Sequence, residues 1–332
     1  MKLDWALVKS EILSFKTHDD LSQLSPLAED VLYGSMWGLN FRFMTLRAAL
    51  EKNKPAMIEY ALQRMNTIIN KPPIHTKRQP VPRCRVGYGT YGWRYDQRII
   101  EMAIENDILI DTASGYGYGR TETELGKIFN RAARPITVFT KVRRDNMSPT
   151  AIMNAVERSN EKLKTTPHVQ IHFPHNKHPN AVIHLAKLRQ QGKLKSIGLS
   201  NCSVDMVEHA QMLLSSFSGD IINVVQIPFN LRDTRASKTI IPYCRKKGIL
   251  VLAYNPLGQN FKKLQTPYLQ SVAKKYNATP AQIALAWILS YNGVMPIPNT
   301  NNSEHMRQNL EASTLVLEDD DVMKLKEYYE TC

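Results

Sequence analysis

Asp111-Thr-Ala-Ser-Gly-Tyr-Gly-Tyr-Gly119 follows directly on the apolar run Ile108-Leu-Ile110. An apolar triplet that runs into an acid, and then into alternating glycine and tyrosine, reads as a buried strand ending in a sharply bending loop. Buried strands rarely end in a carboxylate unless a cation meets it. Asp111 therefore needs a partner from elsewhere in the chain, and finding that partner settles the fold.

From Pro82 onward short apolar segments alternate with helical patterns. The strands read as Cys84–Gly87, Ile108–Asp111, Ile136–Lys141, Val169–His172, Ser196–Ser200, Ile222–Gln226, Ile249–Tyr254 and Gly293–Ile297. Helices fall between them at Gln97–Asn106, Glu122–Arg131, Pro149–Lys164, Ala181–Gly192, Val204–Ser215, Arg235–Lys247 and Thr279–Ser290. Strand and helix in strict alternation, eight strands in all, spell an α/β chain folded as a (β/α)8 barrel of the TIM type. In such a barrel catalytic groups gather at the strand C-termini. Asp111, Lys141, His172, Ser200 with Asn201, Gln226 and Tyr254 each fall at or just past the end of a successive strand.

A competing reading starts from Gly87-Tyr-Gly-Thr-Tyr-Gly92, a glycine-rich turn after a strand, with Asp111 spaced behind it like the ribose-binding acid of a dinucleotide fold. Two features oppose it. Trp93-Arg-Tyr-Asp96 separates the third glycine from the next helix, and a lysine and a histidine end the two strands that follow Asp111.

Composition narrows the class further. The chain has 332 residues, 43% hydrophobic and 22% charged, which suits a globular fold with a large core. It contains no apolar run long enough for a membrane span, and its start lacks the features of a secretory leader. Cys84, Cys202, Cys244 and Cys332 show neither disulfide nor metal spacing, so a reducing cytoplasm and no metal are expected. Residues 1–75 hold nine Lys/Arg against eight Asp/Glu, and the rest of the +13 charge lies downstream. A basic catalytic part favours anionic ligands, including an anionic substrate or a phosphorylated cofactor. Nothing in the pattern points to nucleic acid.

Residues 1–75 have their own character. Met36, Leu39, Phe43, Leu46 and Leu50 recur at helical spacing, as do Met57, Ala61, Met65 and Ile68. They are expected to form a small N-terminal helical extension, set off by Lys71-Pro-Pro73 from a barrel over 76–332. The extension packs on the barrel, docks a protein partner or pairs with a second copy.

Taken one at a time, the polar strand ends have ordinary readings: Asp111 as a structural ion pair, Lys141 as a solvent-facing lysine, His172 as a core histidine, Tyr116 as loop cover. Together they make a chemical unit. Asp111 would neutralise a buried Lys141, whose charge would lower the pKa of Tyr116 from about 10. His172 would hydrogen-bond a carbonyl oxygen. Such a tyrosine is a general acid for a carbonyl receiving hydride. Tyr118 is the local competitor for that place.

At this level of detail the chain resembles the aldo-keto reductase family. The resemblance rests on Gly87-Tyr-Gly89-Thr-Tyr-Gly92, Asp111-Thr-Ala-x-x-Tyr116-Gly, Thr121-Glu-x-x-Leu-Gly126, Thr140-Lys141-Val, Ile171-His172-Phe-Pro and Gly-Leu-Ser200-Asn201. It continues through Val225-Gln226-Ile-Pro-Phe-Asn230, Ala253-Tyr254-Asn-Pro-Leu-Gly258, the segment Thr279 to Trp287, and Ile297-Pro298. The motifs run in order over residues 83–330.

The resemblance implies a catalytic tetrad of Asp111, Tyr116, Lys141 and His172. It also implies a nicotinamide cofactor, with NADP(H) favoured and NAD(H) as the alternative. Gly89, Thr90 and Tyr91 would border that cofactor. Ser200, Asn201 and Gln226 would hold its carboxamide, and Tyr254 would stack on its ring. Asn255, Leu257 and Gly258 belong to the turn that would face the pyrophosphate. Asn299, Thr300, His305, Gln308 and Asn309 would meet the adenosine end, near a helix start that suits phosphate.

Departures from the family pattern are local. Asn299 and His305 stand where a lysine and an arginine commonly grip the 2′-phosphate, and Arg307, Lys262 or Lys263 would have to substitute. Leu163-Lys-Thr-Thr-Pro-His168 shortens the approach to the fourth strand. His175-Asn-Lys-His178 replaces an acidic loop start, and the short loops leave room for a bulky substrate. The expected activity is reduction of an aldehyde or ketone to an alcohol, with Tyr116 giving the proton. The alternatives are a cofactor-binding regulator that docks partners, and an isomerase or lyase using the same site.

Overall fold

The computed structural model describes residues 85–143, 147–174, 181–259 and 261–331. The expected helical extension over 1–75, its docking role, Cys84, His175 to His178 and Cys332 lie outside the described residues.

Eight parallel strands lie in sequence order in one sheet: β1 Tyr88–Gly89, β2 Ile110–Asp111, β3 Val138–Val142, β4 His168–Ile171, β5 Ile197–Ser200, β6 Ile222–Pro228, β7 Leu250–Tyr254 and β8 Val294–Pro296. The helices between them are α1 Gln97–Glu105, α2 Arg120–Phe129, α3 Pro149–Leu163, α4 Ala181–Gln190, α5 Val204–Phe217, α6 Ile240–Lys247, α7 Phe261–Leu264, α8 Pro267–Lys275 and α9 Pro280–Leu289. After β8 come α10 Ser303–Glu311 and α11 Asp319–Thr331.

The curl closes between the last strand and the first. Gly87 N donates to Pro296 O at 2.9 Å and Gly89 N to Pro298 O at 3.0 Å. The Asn299 amide nitrogen donates to Gly89 O at 2.8 Å, and the Tyr88 hydroxyl to Thr300 O at 2.8 Å. A Cβ on Gly89 would sit 2.9 Å from the Ile297 carbonyl oxygen, and one on Gly87 would sit 2.8 Å from Ile297 Cγ2. These two glycines serve the barrel seam, not a phosphate. A doubly wound dinucleotide fold would reverse its strand order, whereas this sheet runs consecutively from β1 to β8.

Alternation along the strands sorts the side chains. Leu109, Phe139, Val224, Leu252, Met295 and Ile297 pack with one another inside the barrel. Two residues further along the same segments stand Asp111, Lys141, Gln226 and Tyr254. Side chains two apart in a strand share a face, so the barrel core continues upward into the polar groups at the strand ends. On the outside, Ile99, Ile100 and Ala103 of α1 pack with Ile110, Leu125, Phe129 and Val138.

Helix boundaries follow local chemistry. Asp96 caps α1 by accepting from Arg98 N, and Ser148 caps α3 by accepting from Ala151 N. Thr279 and Gln282 form a reciprocal capping box ahead of the wholly buried turns of α9, with Pro280 at the first helical position.

Two expected elements differ. The first strand begins at Tyr88 rather than at Cys84, because it pairs with a two-residue partner whose register sets Tyr88 against Ile110 and Gly89 against Asp111. The expected helix Arg235–Lys247 is a 3-10 turn, Arg235–Lys238, followed by α6. Pro242 has no N–H for the Lys238 carbonyl, so a continuous helix cannot pass through that turn. Pro167 leaves β4 undisturbed: Lys195 N donates to its carbonyl at 2.9 Å, and His168 pairs with Phe139.

Candidate active site

At the C-terminal ends of the strands, Asp111 and Lys141 meet as the opening stretch requires. Lys141 Nζ lies 2.8 and 2.7 Å from the two Asp111 carboxylate oxygens and 2.8 Å from Thr112 O. Both side chains are almost wholly buried. Gln226 Nε2 donates to Asp111 Oδ1 at 2.7 Å. The ammonium thus has three close acceptors and the carboxylate two donors, which is what a buried ion pair requires. Burial pushes the Asp111 carboxyl up and the Lys141 ammonium down, and their mutual attraction opposes both shifts.

Tyr116 is carried by the 3-10 turn Tyr116–Gly119, where Gly117, Tyr118 and Gly119 all take positive φ (55°, 57° and 84°). That backbone turns Tyr118 out into solvent and holds the Tyr116 hydroxyl 3.3 Å from Lys141 Nζ. Of the two tyrosines, Tyr116 is the one beside Lys141. The expected fall in the Tyr116 pKa is not found. Burial, and then the Asp111 carboxylate, push the phenol up, because Lys141 is already neutralised by Asp111 and offers little net positive charge. Tyr116 is a phenol held in its protonated form.

His172 stands just past β4. Its ring stacks on Phe173 at 4.6 Å between centroids and meets the Tyr116 ring edgewise at 6.1 Å. Burial, then the charges of Lys141 and Arg143, lower its pKa to about 4, so the imidazole is neutral at physiological pH.

A cavity of about 450 Å³ opens over these groups. Asp111, Tyr116 and His172 border it, and Lys141 lies behind them. Of the positions expected around a cofactor, Gly89, Tyr91, Ser200, Asn201, Gln226, Tyr254, Asn255, Leu257, Gly258 and Asn299 line the cavity. Asn255 and Gly258 take positive φ (49° and 71°), and Gly258 N donates to Asn255 O at 2.9 Å.

The remaining expected positions stand back from the cavity. Thr90 is buried, with its hydroxyl donating to Asp111 O at 2.9 Å, so it braces the strand end. The Thr300 carbonyl accepts from Tyr88 at the seam. His305 is exposed in the first turn of α10, Gln308 donates to Glu304 at 3.0 Å, and Asn309 is buried. Arg307 is engaged by Glu304 (2.9 and 2.5 Å) and by Glu311. Lys262 is exposed on α7.

The Asn201 amide is committed to the protein. Nδ2 donates to His172 O and Ser200 Oγ, each at 3.0 Å, and Oδ1 accepts from the Tyr254 hydroxyl at 2.7 Å. Asn201 therefore ties β4, β5 and β7 together at the site. Among the described residues no donor meets Gln226 Oε1, which leaves an acceptor at the cavity wall suited to a carboxamide. Phe173, Pro256, Ile297 and Pro298 also line the cavity, though none was expected there from the sequence. Phe173 was open to inference, since it follows His172 directly.

No cluster of potential metal ligands occurs among the described residues. Nor is any helix among them long and apolar enough to cross a membrane.

Fold and site together belong to the class of β/α-barrel enzymes that act at the strand C-termini. The family model described as the aldo/keto reductase family matches residues 85–330, and the chain belongs to that family of NAD(P)-dependent oxidoreductases. Methylglyoxal reductase YeaE of Escherichia coli (strain K12) is 30% identical, over 68% of this chain and 83% of its own length. Probable aldo-keto reductase 1 of Glycine max is 28% identical, over 69% of this chain and 78% of its own. The crystal structure of the thermostable aldo-keto reductase Tm1743 with the inhibitor epalrestat superposes with a TM-score of 0.68 at 26% identity, covering 77% of this chain and 98% of that one. That of an aldo/keto reductase from Klebsiella pneumoniae with NADP and acetate gives 0.68 at 24% identity, covering 74% and 91%.

Proposed function

We propose that this protein reduces a small aldehyde or ketone to an alcohol, with Tyr116 as proton donor and NADP(H) as the favoured cofactor. The observation that carries the proposal is a protonated, half-buried phenol on the cavity wall, 3.3 Å from a buried ammonium. When bound, the cofactor supplies hydride to the carbonyl carbon. The chain's own residues do the rest. The neutral His172 imidazole and the Tyr116 hydroxyl orient the carbonyl oxygen, and Tyr116 gives it a proton. The negative charge then left on the phenol oxygen faces Lys141 Nζ, held in place by Asp111 and Gln226.

The residues present fit the cofactor. Gln226 Oε1 and Ser200 would take the carboxamide, the Tyr254 ring borders the same space, and the Asn255–Gly258 turn is bent as a pyrophosphate cradle requires. The NADP(H) preference draws on the Klebsiella structure with NADP and on the basic charge of the chain. Arg307 would have to leave two exposed carboxylates to reach a 2′-phosphate, and exposed pairs of this kind are weak. The E. coli relative makes methylglyoxal, a small oxoaldehyde, the first substrate to test. The free thiols of Cys202 and Cys244 favour a cytoplasmic setting.

The test is a panel of small aldehydes and ketones, methylglyoxal included, assayed with NADPH and NADH, alongside fluorescence titration of both cofactors. Net oxidation of NADPH with tighter binding of NADPH than NADH is expected, and His305→Arg should widen that gap. Tight NADPH binding with no turnover of any carbonyl would overturn the reductase reading in favour of a regulator. Substrate conversion without net change in cofactor absorbance would overturn it in favour of an isomerase. Equal affinity for the two cofactors would overturn the NADP(H) preference.

A further inference from the structure

Beside the catalytic loop, but outside the cavity described above, a second cavity of about 270 Å³ opens between the end of β3 and the helices α2 and α3. One face of α3 builds it. Ala151 and Ala155, four residues apart, leave space where longer side chains would fill it, and Arg158, Ser159 and Lys162 continue the wall over the next turns. Ser114 of the catalytic loop and Arg143, just past β3, complete the rim, and Glu122 of α2 borders the same space.

The charge of this lining is one-sided. Among the described residues the cavity is lined by Arg143, Arg158 and Lys162 and by one carboxyl, that of Glu122. Glu122 is already occupied: Thr140 Oγ1 donates to it at 2.7 Å and Ser159 hydrogen-bonds it as well. Arg158 is exposed and makes no ion pair among the described residues. The acid beside it in sequence, Glu157, pairs with Lys193 at 2.5 Å instead. Lys162 Nζ donates to Gly119 O at 3.2 Å, which leaves further N–H groups on the same ammonium.

We propose that this cavity is a second anion site, taking a phosphate-bearing small molecule with Arg158 and Lys162 as its principal donors. Arg158 and Lys162 set two cations beside a carboxyl that already accepts its own hydrogen bonds, which suits a phosphomonoester carrying about −1.5 to −2 at neutral pH. Arginine supplies the paired N–H groups that phosphate oxygens favour. The volume admits a phosphate with a short carbon skeleton but not a dinucleotide. Ser114 Oγ donates to Lys141 O at 2.9 Å, so the ligand would rest against the loop that carries Asp111 and Tyr116.

The site does not depend on the reductase reading, and binding is measured without turnover. Calorimetric titrations of inorganic phosphate, glycerol 3-phosphate and citrate into NADPH-saturated protein would be compared with the same titrations into Arg158→Gln and Lys162→Gln. Arg158 is exposed and Lys162 half-buried, and circular dichroism checks that the variants fold. One saturable phosphate site is expected, weakened about tenfold or more by each substitution. Tighter binding of glycerol 3-phosphate identifies an organic phosphate as the ligand, and equal or weaker binding identifies free phosphate. No saturable binding of either phosphate, or unchanged affinity in Arg158→Gln, overturns the proposal, as does binding of citrate alone. Should NADPH fail to bind, the cofactor assignment falls by itself, and the Arg158→Gln comparison in the free protein still decides the second site.

Discussion

Lys141 and Asp111 depend on each other more than on anything else in the barrel. Both are buried, and removing one leaves the other charged with no solvent to hold it. Lys141→Met is expected to destabilise the protein by about 3–5 kcal/mol in urea unfolding, whereas Asp111→Leu combined with Lys141→Met should recover more than half of that loss. Additive losses in the double variant would contradict a coupled pair. This pairing was legible in the sequence because an acid at the end of a buried strand demands a cation, and Lys141 ends the next one. The protonation of Tyr116 was not legible. Whether Lys141 lowers a phenol's pKa depends on how fully Asp111 cancels its charge, and only distances decide that. The same holds for Asn201, whose amide is taken up by His172, Ser200 and Tyr254 and not left facing outward.

At the scale of elements, the alternation of apolar runs and helical patterns was enough to order eight strands and to end those at Asp111, Ser200 and Tyr254 on the right residue, although β6 runs on to Pro228, two residues past Gln226. Shorter features escaped it. The strand at Tyr88–Gly89 is fixed by a seam between the first and last strands, which no local pattern encodes. Helix α8 carried a readable start in Thr266-Pro267, where the threonine accepts from Leu269 N, but the apolar periodicity behind it is brief. Gly126 on α2 shows how packing overrides propensity. Alanine favours a helix over glycine by about 1 kcal/mol. Here, however, a Cβ would run into the Lys162 carbonyl of α3. Gly126→Ala is therefore expected to lose about 1–3 kcal/mol and to melt at a lower temperature than the wild type, as an overpacked contact does. A gain in melting temperature would mean that α2 and α3 are less closely packed than described.

For the whole molecule, a buried histidine and a half-buried one tie stability to pH. His168 stacks on Phe139 at 4.3 Å and shares a 2.6 Å hydrogen bond with Ser196, and His172 stands at the site. Burial is the leading cause that lowers each pKa from 6.5 to about 4. Between those values the unfolded chain binds protons that the folded barrel refuses. The stabilisation is therefore complete above pH 6.5 and is lost as pH falls towards 4. The urea midpoint should fall steadily from pH 7 to pH 5, with a shallower slope in His168→Leu; a flat profile would contradict histidines held neutral in the folded barrel. Catalysis at neutral pH should not follow the titration of His172, because that ring is already neutral there.

The central claim is that the Tyr116 hydroxyl is the proton donor in a carbonyl reduction. Its most direct test is NADPH consumption with a carbonyl substrate turned over by the wild type, compared with Tyr116→Phe, with NADPH affinity measured on both proteins. Loss of this one oxygen should slow turnover about 100- to 10,000-fold, the range for a positioned general acid, while leaving NADPH affinity within about twofold of wild type, since the ring and the barrel around it are kept. Turnover at the wild-type rate in Tyr116→Phe would contradict the claim.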